Sequence, residues 1–171
     1  MGSFREAVDA IEIEQRSPKG IATVRVVRQN ETRVTLSPSA RTSFDDVTIA
    51  EDIEEALREA WSAAKDAYDE LAAQYMRELP VPVDDDEATD AVRELRGKIR
   101  ECEFTGYSER KWVEVSLDAD LDPFIEFSRN VITSTNVSTS VLEMEIVDAI
   151  RKARKGIMRE VLGVYRKTIS I

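Results

Sequence analysis

The chain has 171 residues, of which 42% are hydrophobic, so it can bury a core without disulfides or metals. Its net charge of −10 disfavours nonspecific attraction to nucleic acid or anionic lipid. It has no histidine, the commonest general base and zinc ligand, and its one cysteine, Cys102, excludes an internal disulfide. No apolar run is long enough to span a membrane, and residues 1–9 lack a signal-peptide core. We therefore expect a cytoplasmic protein.

Residues 10–37 predict three short strands. Ile11 and Ile13 alternate with glutamates, and this period of two is typical of a half-buried strand. The sequence Ser-Pro-Lys-Gly at residues 17–20 favours a turn, because proline presets its φ angle and glycine accepts a positive one. The predicted strands cover residues 10–16, 21–28 and 32–37, with a short helical turn at 4–10 and a loop at 39–46.

A long amphipathic helix follows. Apolar residues from Ile49 to Tyr75 keep the spacing of one helical face and predict a helix over residues 49–79. Thr48 is the expected N-cap, and Glu51 completes a capping box. Such a helix extends about 45 Å, whereas a domain of about 80 residues is only about 25 Å across. We therefore expect its far end to need a second packing partner.

Prolines at positions 80 and 82 end this helix and predict an extended linker over residues 80–86. The acidic run at 84–87 is interpreted as the start of the next helix, whose dipole favours acidic side chains, rather than as a metal site. The remaining predicted elements are a helix over 87–98, strands over 99–105, 111–117 and 124–128, a turn at 106–109, and a helix from Ser138 or Ser140 to about 167.

The two halves of the chain resemble each other. Val24 and Val26 match Val113 and Val115 at an offset of 89, Val34 and Leu36 match Ile125 and Phe127 at 91, and Ile53–Ala60 matches Ile146–Ala153 at 93. The repeat predicts an α+β fold of two β-β-β-α units, residues 1–79 and 87–171, the second with a leading helix. We expect antiparallel sheets, covered by the long helices, in a pseudo-two-fold arrangement within one chain.

Basic residues concentrate near the C-terminus. Residues 129–171 contain eight basic and four acidic residues, in a chain that is acidic as a whole. The best candidates for phosphate contact cluster on the last helix: Arg151, Lys152, Arg154, Lys155 and Arg159. The alternative is a solvated helix face whose cations the helix dipole favours. Arg25 and Arg28 on the first hairpin are a second candidate, which a polar outer sheet face explains equally well.

No pattern in the sequence points to catalysis. There is no glycine-rich phosphate loop and no nucleophile beside a base. Cys102 lies between Glu101 and Glu103 on a predicted strand, which places the thiol on the opposite face and favours burial over reactivity. We predict a non-enzymatic protein with no cofactor and no metal.

The turn and strand at Ser17–Val26, the strand at Val34–Pro38 and the helix segment Ile53–Ala60 resemble the YbaB/EbfC family of bacterial nucleoid-associated proteins. The resemblance covers residues 13–76 and implies an α-β-β-β-α unit that dimerises and binds DNA without catalysis. Related actinobacterial proteins of type VII secretion systems act as chaperones or scaffolds. This chain departs from the family by joining two units and by having little or no leading helix in the first.

Two functions follow as hypotheses. The first is a nucleoid-associated protein that binds double-stranded DNA through phosphate contacts of the last helix. The second is a protein-interaction module, a chaperone or scaffold that does not bind DNA. The family resemblance favours the first and the net charge favours the second. In either case we expect a pseudo-dimer within one chain, with a further homodimer as an option and no membrane association.

Overall fold

The computed structural model describes residues 4–28, 31–76 and 90–169. The first half contains α1 (Phe4–Asp9), β1 (Glu12–Arg16), β2 (Ala22–Val27), β3 (Glu31–Leu36), α2 (Ala40–Ser43) and α3 (Asp46–Met76). The second half contains α4 (Asp90–Arg100), β4 (Glu103–Tyr107), β5 (Val113–Asp118), β6 (Pro123–Phe127) and α5 (Thr139–Ile169). The predicted α+β fold of two repeats is confirmed, while the predicted linker at 80–86 lies outside the described residues.

Each half forms a three-stranded antiparallel sheet, in the orders β1-β2-β3 and β4-β5-β6. The first turn of each sheet is closed by a serine hydroxyl, which accepts a hydrogen bond from the start of the next strand. Ser17 Oγ accepts from Ala22 N at 2.9 Å, and Ser108 Oγ accepts from Val113 N at 3.1 Å. These contacts match at an offset of 91, so the predicted offset of 89 for the first hairpin was wrong by two residues. A two-residue shift preserves the buried face because strand side chains alternate.

The first strand of the second sheet was also placed wrongly. Ile99 belongs to α4, and Gly106 lies inside β4 rather than in a turn. The turn instead falls at Ser108–Lys111, where Lys111 has a φ of 58°. Gly106 serves close packing: a Cβ built on it would lie 2.3 Å from the backbone nitrogen of Ala153 on α5. A sheet and a helix in such contact leave no room for a side chain.

The long helices begin with polar caps. Asp45 Oδ1 accepts from Thr48 N at 2.7 Å, so Asp45 is the N-cap of α3 and the predicted cap at Thr48 was wrong. This backbone hydrogen bond lowers the pKa of Asp45 below its ordinary value. Ser138 Oγ accepts from Val141 N at 3.3 Å, which confirms Ser138 as the cap of α5. The two caps match at an offset of 93, so the second half gains two residues between its third strand and its helix.

One hydrophobic core joins the two halves. Helix α3 packs on β1 and β2 of its own sheet and on β6 of the other, while α5 packs on β4, β5 and β3. Fully buried side chains of both helices fill this core: Ile49, Ile53, Leu57, Leu142, Ile146, Ile150 and Ile157. Because each helix covers the third strand of the other half, neither half buries its core alone.

Two carboxylates stabilise the packing of each long helix on the third strand of the other half. Glu54 of α3 accepts a hydrogen bond from Ile125 N of β6 at 2.7 Å, and Glu143 of α5 accepts one from Leu36 N of β3 at 2.7 Å. Both strand N–H groups lie on the outer edge of a sheet, where β-strand pairing supplies no acceptor. The long helix of each half therefore supplies a hydrogen-bond acceptor to an edge-strand N–H group of the other half.

The two long helices meet at Trp61 and Arg154, which occupy equivalent positions of the repeat. The guanidinium of Arg154 lies over the Trp61 ring at 5.1 Å from its centroid. The Trp61 indole N–H donates to Thr32 Oγ at 3.2 Å, and Arg154 Nη1 lies 3.5 Å from the same oxygen. This contact marks the pseudo-two-fold axis.

Beyond this axis each long helix is covered by the short helix that leads its own half. In the first half, α1 packs on α3 through Phe4, whose ring lies 5.9 Å from that of Tyr68 and 5.3 Å from that of Tyr75. In the second half, α4 packs on α5. The short helical turn predicted at residues 4–10 is confirmed, and at six residues the leading helix of the first unit is much shorter than α4, which has 11. We call residues 59–76 of α3 and 152–169 of α5 the distal segments.

Candidate interaction surface on helix α5

The first two cations of the predicted cluster are neutralised in part by one acid. Arg151 lies 2.6 Å and Lys152 2.7 Å from the two carboxylate oxygens of Asp148. Burial raises the pKa of Asp148, but the hydrogen bonds from Lys152 and Arg151 outweigh it, so the pKa lies below its ordinary value. The carboxylate therefore stays charged and removes one unit from the local positive charge.

Arg154, the middle cation, points inward. It stacks on Trp61 at the pseudo-two-fold axis and is only partly exposed. Burial lowers the pKa of this guanidinium from its ordinary value. Its role in the structure is to join α5 to α3 and β3, which a phosphate contact would have to disrupt.

Three further cations of α5 form a stripe on its exposed face. Lys155, Arg159 and Arg166 follow at spacings of four and seven residues, and all three are exposed. Within the described part of the chain, the side chains of Lys155 and Arg159 make no ion pair and no hydrogen bond, unlike those of Arg151, Lys152 and Arg154. We call these three residues the basic stripe. The predicted cluster is therefore present in sequence but divided in space.

An apolar stripe runs beside the basic one. Met158, Leu162 and Tyr165 are 56%, 48% and 44% exposed, at spacings of four and three residues along α5. The buried face of α5 narrows towards the C-terminal end, where Ile157 is buried but Val161 and Val164 are only half-buried. In the sequence, each residue of the apolar stripe directly follows one residue of the series Ile157, Val161 and Val164. This second apolar series is the sequence signal for the stripe. Exposed apolar side chains aligned on one helix are a common mark of a protein contact.

The distal segment of α3 carries the opposite charge. Helix α3 has nine acidic and two basic residues, whereas α5 has four acidic and seven basic residues. Glu59, Asp66 and Glu70 are exposed on α3 at spacings of seven and four residues, and we call them the acidic stripe. Glu59 also accepts a hydrogen bond from Gln15 of β1. The positions equivalent to Lys152 and Arg159 of α5 are Glu59 and Asp66, so the repeat has diverged to opposite charge.

The hairpin arginines do not join the cluster on α5. Arg25 pairs with Glu12 on the adjacent strand, and its neighbours Val24 and Val26 are buried on the helix side of the sheet. Strand alternation places Arg25 on the outer face. Arg28 is exposed at the end of β2 with a φ of 50°. The two predicted groups of cations thus belong to different faces of the molecule.

Two grooves flank the contact between Trp61 and Arg154. The larger, of about 540 Å³, is lined by Arg58, Lys65, Tyr68 and Asp122, among others. The smaller, of about 340 Å³, is lined by Glu31, Arg151, Lys155 and Met158, among others. In the larger groove Arg58 is paired with Asp122 and Glu55, and Lys65 with Asp69. These cations are held by neighbouring acids.

The described residues contain no group of three or more cysteine or acidic side chains placed to hold a metal ion. Cys102 is buried, as expected, and its thiol lies 3.5 Å from the carbonyl oxygen of Lys98. Within the same residues, no helix is both long and apolar enough to cross a membrane.

Comparisons of the chain with protein-family models, with curated proteins and with solved structures found no significant match. The resemblance to the YbaB/EbfC family therefore stays a prediction from the sequence.

Proposed function

We propose that this protein is a non-enzymatic protein-interaction module, a chaperone or scaffold whose partner is an acidic amphipathic helix. The observation that carries the proposal is the apolar stripe of α5, with Met158, Leu162 and Tyr165 exposed beside the basic stripe. A groove or face of this kind binds a helix through its apolar side, and the flanking cations select acidic partners.

The basic cluster supports DNA binding less well. Arg151 and Lys152 share Asp148, and Arg154 stacks on Trp61. Only a part of the five-residue cluster is then available to duplex phosphates, in a chain whose net charge is −10. Each phosphate contact contributes to affinity by releasing counterions, so a short stripe binds duplex DNA weakly at physiological salt.

Double-stranded DNA remains the second candidate partner, because Lys155, Arg159 and Arg166 are exposed on one helical face. A fluorescence anisotropy titration separates the two. One probe is a labelled duplex of about 30 base pairs, at about 50 mM salt. The other is a labelled helical peptide of about 20 residues with a Leu/Ala face flanked by glutamates, and the same peptide with lysines for glutamates is its control.

We expect saturable binding of the acidic peptide and none of the lysine peptide. The double variant Met158→Glu with Leu162→Glu should weaken peptide binding at least about tenfold. The matched control replaces Val47 and Met144 by glutamate, since these residues are both 61% exposed and lie outside the stripe. Duplex binding that is lost in Lys155→Glu with Arg159→Glu, without peptide binding, would overturn the proposal in favour of DNA.

A further inference from the structure

We infer that the apolar and basic face of α5 docks a second copy of this chain, through the acidic distal segment of α3. The inference rests on the proposed function, since it names the acidic helix that this face takes. The second copy is chosen because the chain itself carries an acidic stripe that fits the basic stripe in one register.

The fit follows from the spacings. The acidic stripe Glu59, Asp66 and Glu70 has spacings of seven and four residues. The basic stripe, followed backwards from Arg166 through Arg159 to Lys155, has the same spacings of seven and four. An antiparallel pair of helices therefore places each acid opposite one cation: Glu59 with Arg166, Asp66 with Arg159, and Glu70 with Lys155.

The parallel alternative fits less well. It places Glu59 opposite Lys152 and Asp66 opposite Arg159, but sets Glu70 opposite Gly163. Lys152 is already bound to Asp148. The antiparallel register pairs all three acids with cations that have no ion pair within the described residues, and charge pairs of this kind fix partner choice and orientation in helix pairs.

Side-chain size agrees with the antiparallel register. Leu162 then lies level with Ser62 and Ala63 of the other copy. Ser62 is exposed and Ala63 is half-buried, so small side chains meet the exposed leucine. The three residues of the acidic stripe and the three of the basic stripe are all exposed, so the contact needs no local unfolding.

The same contact cannot form within one chain as the structure stands. The long helices meet through Trp61 and Arg154, and within the described residues no ion pair joins the two distal segments. Each copy therefore offers one acidic and one basic stripe to its neighbours. Copies that carry a net charge of −10 repel each other at long range, but at about 0.15 M salt this repulsion is screened beyond about 8 Å.

The test is charge reversal with complementation, using the full chain. The first variant is Asp66→Lys with Glu70→Lys, and the second is Lys155→Glu with Arg159→Glu. A matched control for the first, Glu109→Lys with Glu126→Lys, changes two exposed acids elsewhere and has the same net charge. Sedimentation equilibrium measures the weight-average mass at roughly 100 µM protein, where micromolar association is populated.

We expect the wild type and the control to exceed the monomer mass of 19.3 kDa and each variant alone to stay at it. An equimolar mixture of the two variants should regain the higher mass, because every reversed stripe then meets its complement. A wild type that stays monomeric overturns the inference, and so does association that survives in both variants or is not restored in the mixture.

The acidic peptide of the anisotropy assay keeps the two proposals apart. A monomeric wild type that binds the peptide refutes self-docking alone and leaves the interaction module standing. A wild type that neither self-associates nor binds the peptide refutes both.

Discussion

Replacing Gly106 by alanine tests how closely α5 lies on the second sheet. An added Cβ would lie 2.3 Å from the nitrogen of Ala153 and 2.6 Å from the carbonyl oxygen of Ala149. Both atoms belong to the backbone of α5, so no side-chain rotation relieves the clash. The strand and helix must move apart by about 1 Å, and overpacking of this kind costs about 1–3 kcal/mol.

We expect a loss near the upper end of this range, about 2–3 kcal/mol, because the lower conformational entropy of the unfolded alanine chain offsets only a small part of it. For a protein of this size, 1 kcal/mol corresponds to about 2–4 °C in Tm, so the variant should melt about 4–12 °C lower. Circular dichroism at 222 nm, followed by both heat and urea, measures the change in the free energy of unfolding.

Two other glycines provide matched controls for the same substitution. Gly163 lies on α5 with nothing within 4 Å of the added Cβ, so Gly163→Ala should stabilise the protein by about 0.5–1 kcal/mol through helix propensity. At Gly156 the added Cβ would lie 2.0 Å from a ring carbon of Phe104, a side chain that can move, so we expect an intermediate loss. If Gly106→Ala were as stable as Gly163→Ala, the close packing of β4 on α5 would be refuted.

Two further predictions concern the joining of the halves. Burial raises the pKa of Glu54 above its ordinary value of 4.5, and this effect outweighs the hydrogen bond from Ile125 and the charge of Arg58, which both lower the pKa. The contribution of Glu54 to the free energy of unfolding is therefore fully present below pH 4.5 and is lost as the pH rises through the folded-state pKa. Urea melts from pH 7 to pH 4 should therefore show the wild type gaining stability relative to Glu54→Gln, and a constant or opposite difference would contradict this. A fragment of residues 1–83 should unfold or self-associate, because in the full chain β3 packs against α5 and α3 packs against β6. The fragment should fold when it is mixed with residues 84–171. A stable monomeric fragment in size-exclusion chromatography would argue against the shared core.

The sequence alone predicted the elements whose signals are local. The period of two in Ile11 and Ile13 predicted β1, and the apolar spacing from Ile49 predicted α3, because each pattern reflects which face an element buries. The repeat predicted the pseudo-two-fold arrangement, since two equal halves with over-long helices can cover one another. These inferences needed no knowledge of distant contacts.

Errors occurred where one residue type serves two purposes. Gly106 looked like a turn residue, but its small size serves the contact with α5. Thr48 and Asp45 are both good N-caps, and only the backbone path decided for Asp45. The hairpin offset was wrong by two residues because a shift of two leaves the apolar face unchanged.

The candidate interaction surface could not be predicted from the sequence, for a related reason. Sequence spacing placed five cations from Arg151 to Arg159 close together, but it could not tell that Asp148 holds two of them or that Trp61, 93 residues before Arg154, stacks on that arginine. The fold class, the internal repeat and the excess of positive charge near the C-terminus all follow from the amino-acid sequence. The choice of which cations and apolar residues of α5 face outward depends on contacts between residues far apart in the chain, so it emerges only when the chain is folded.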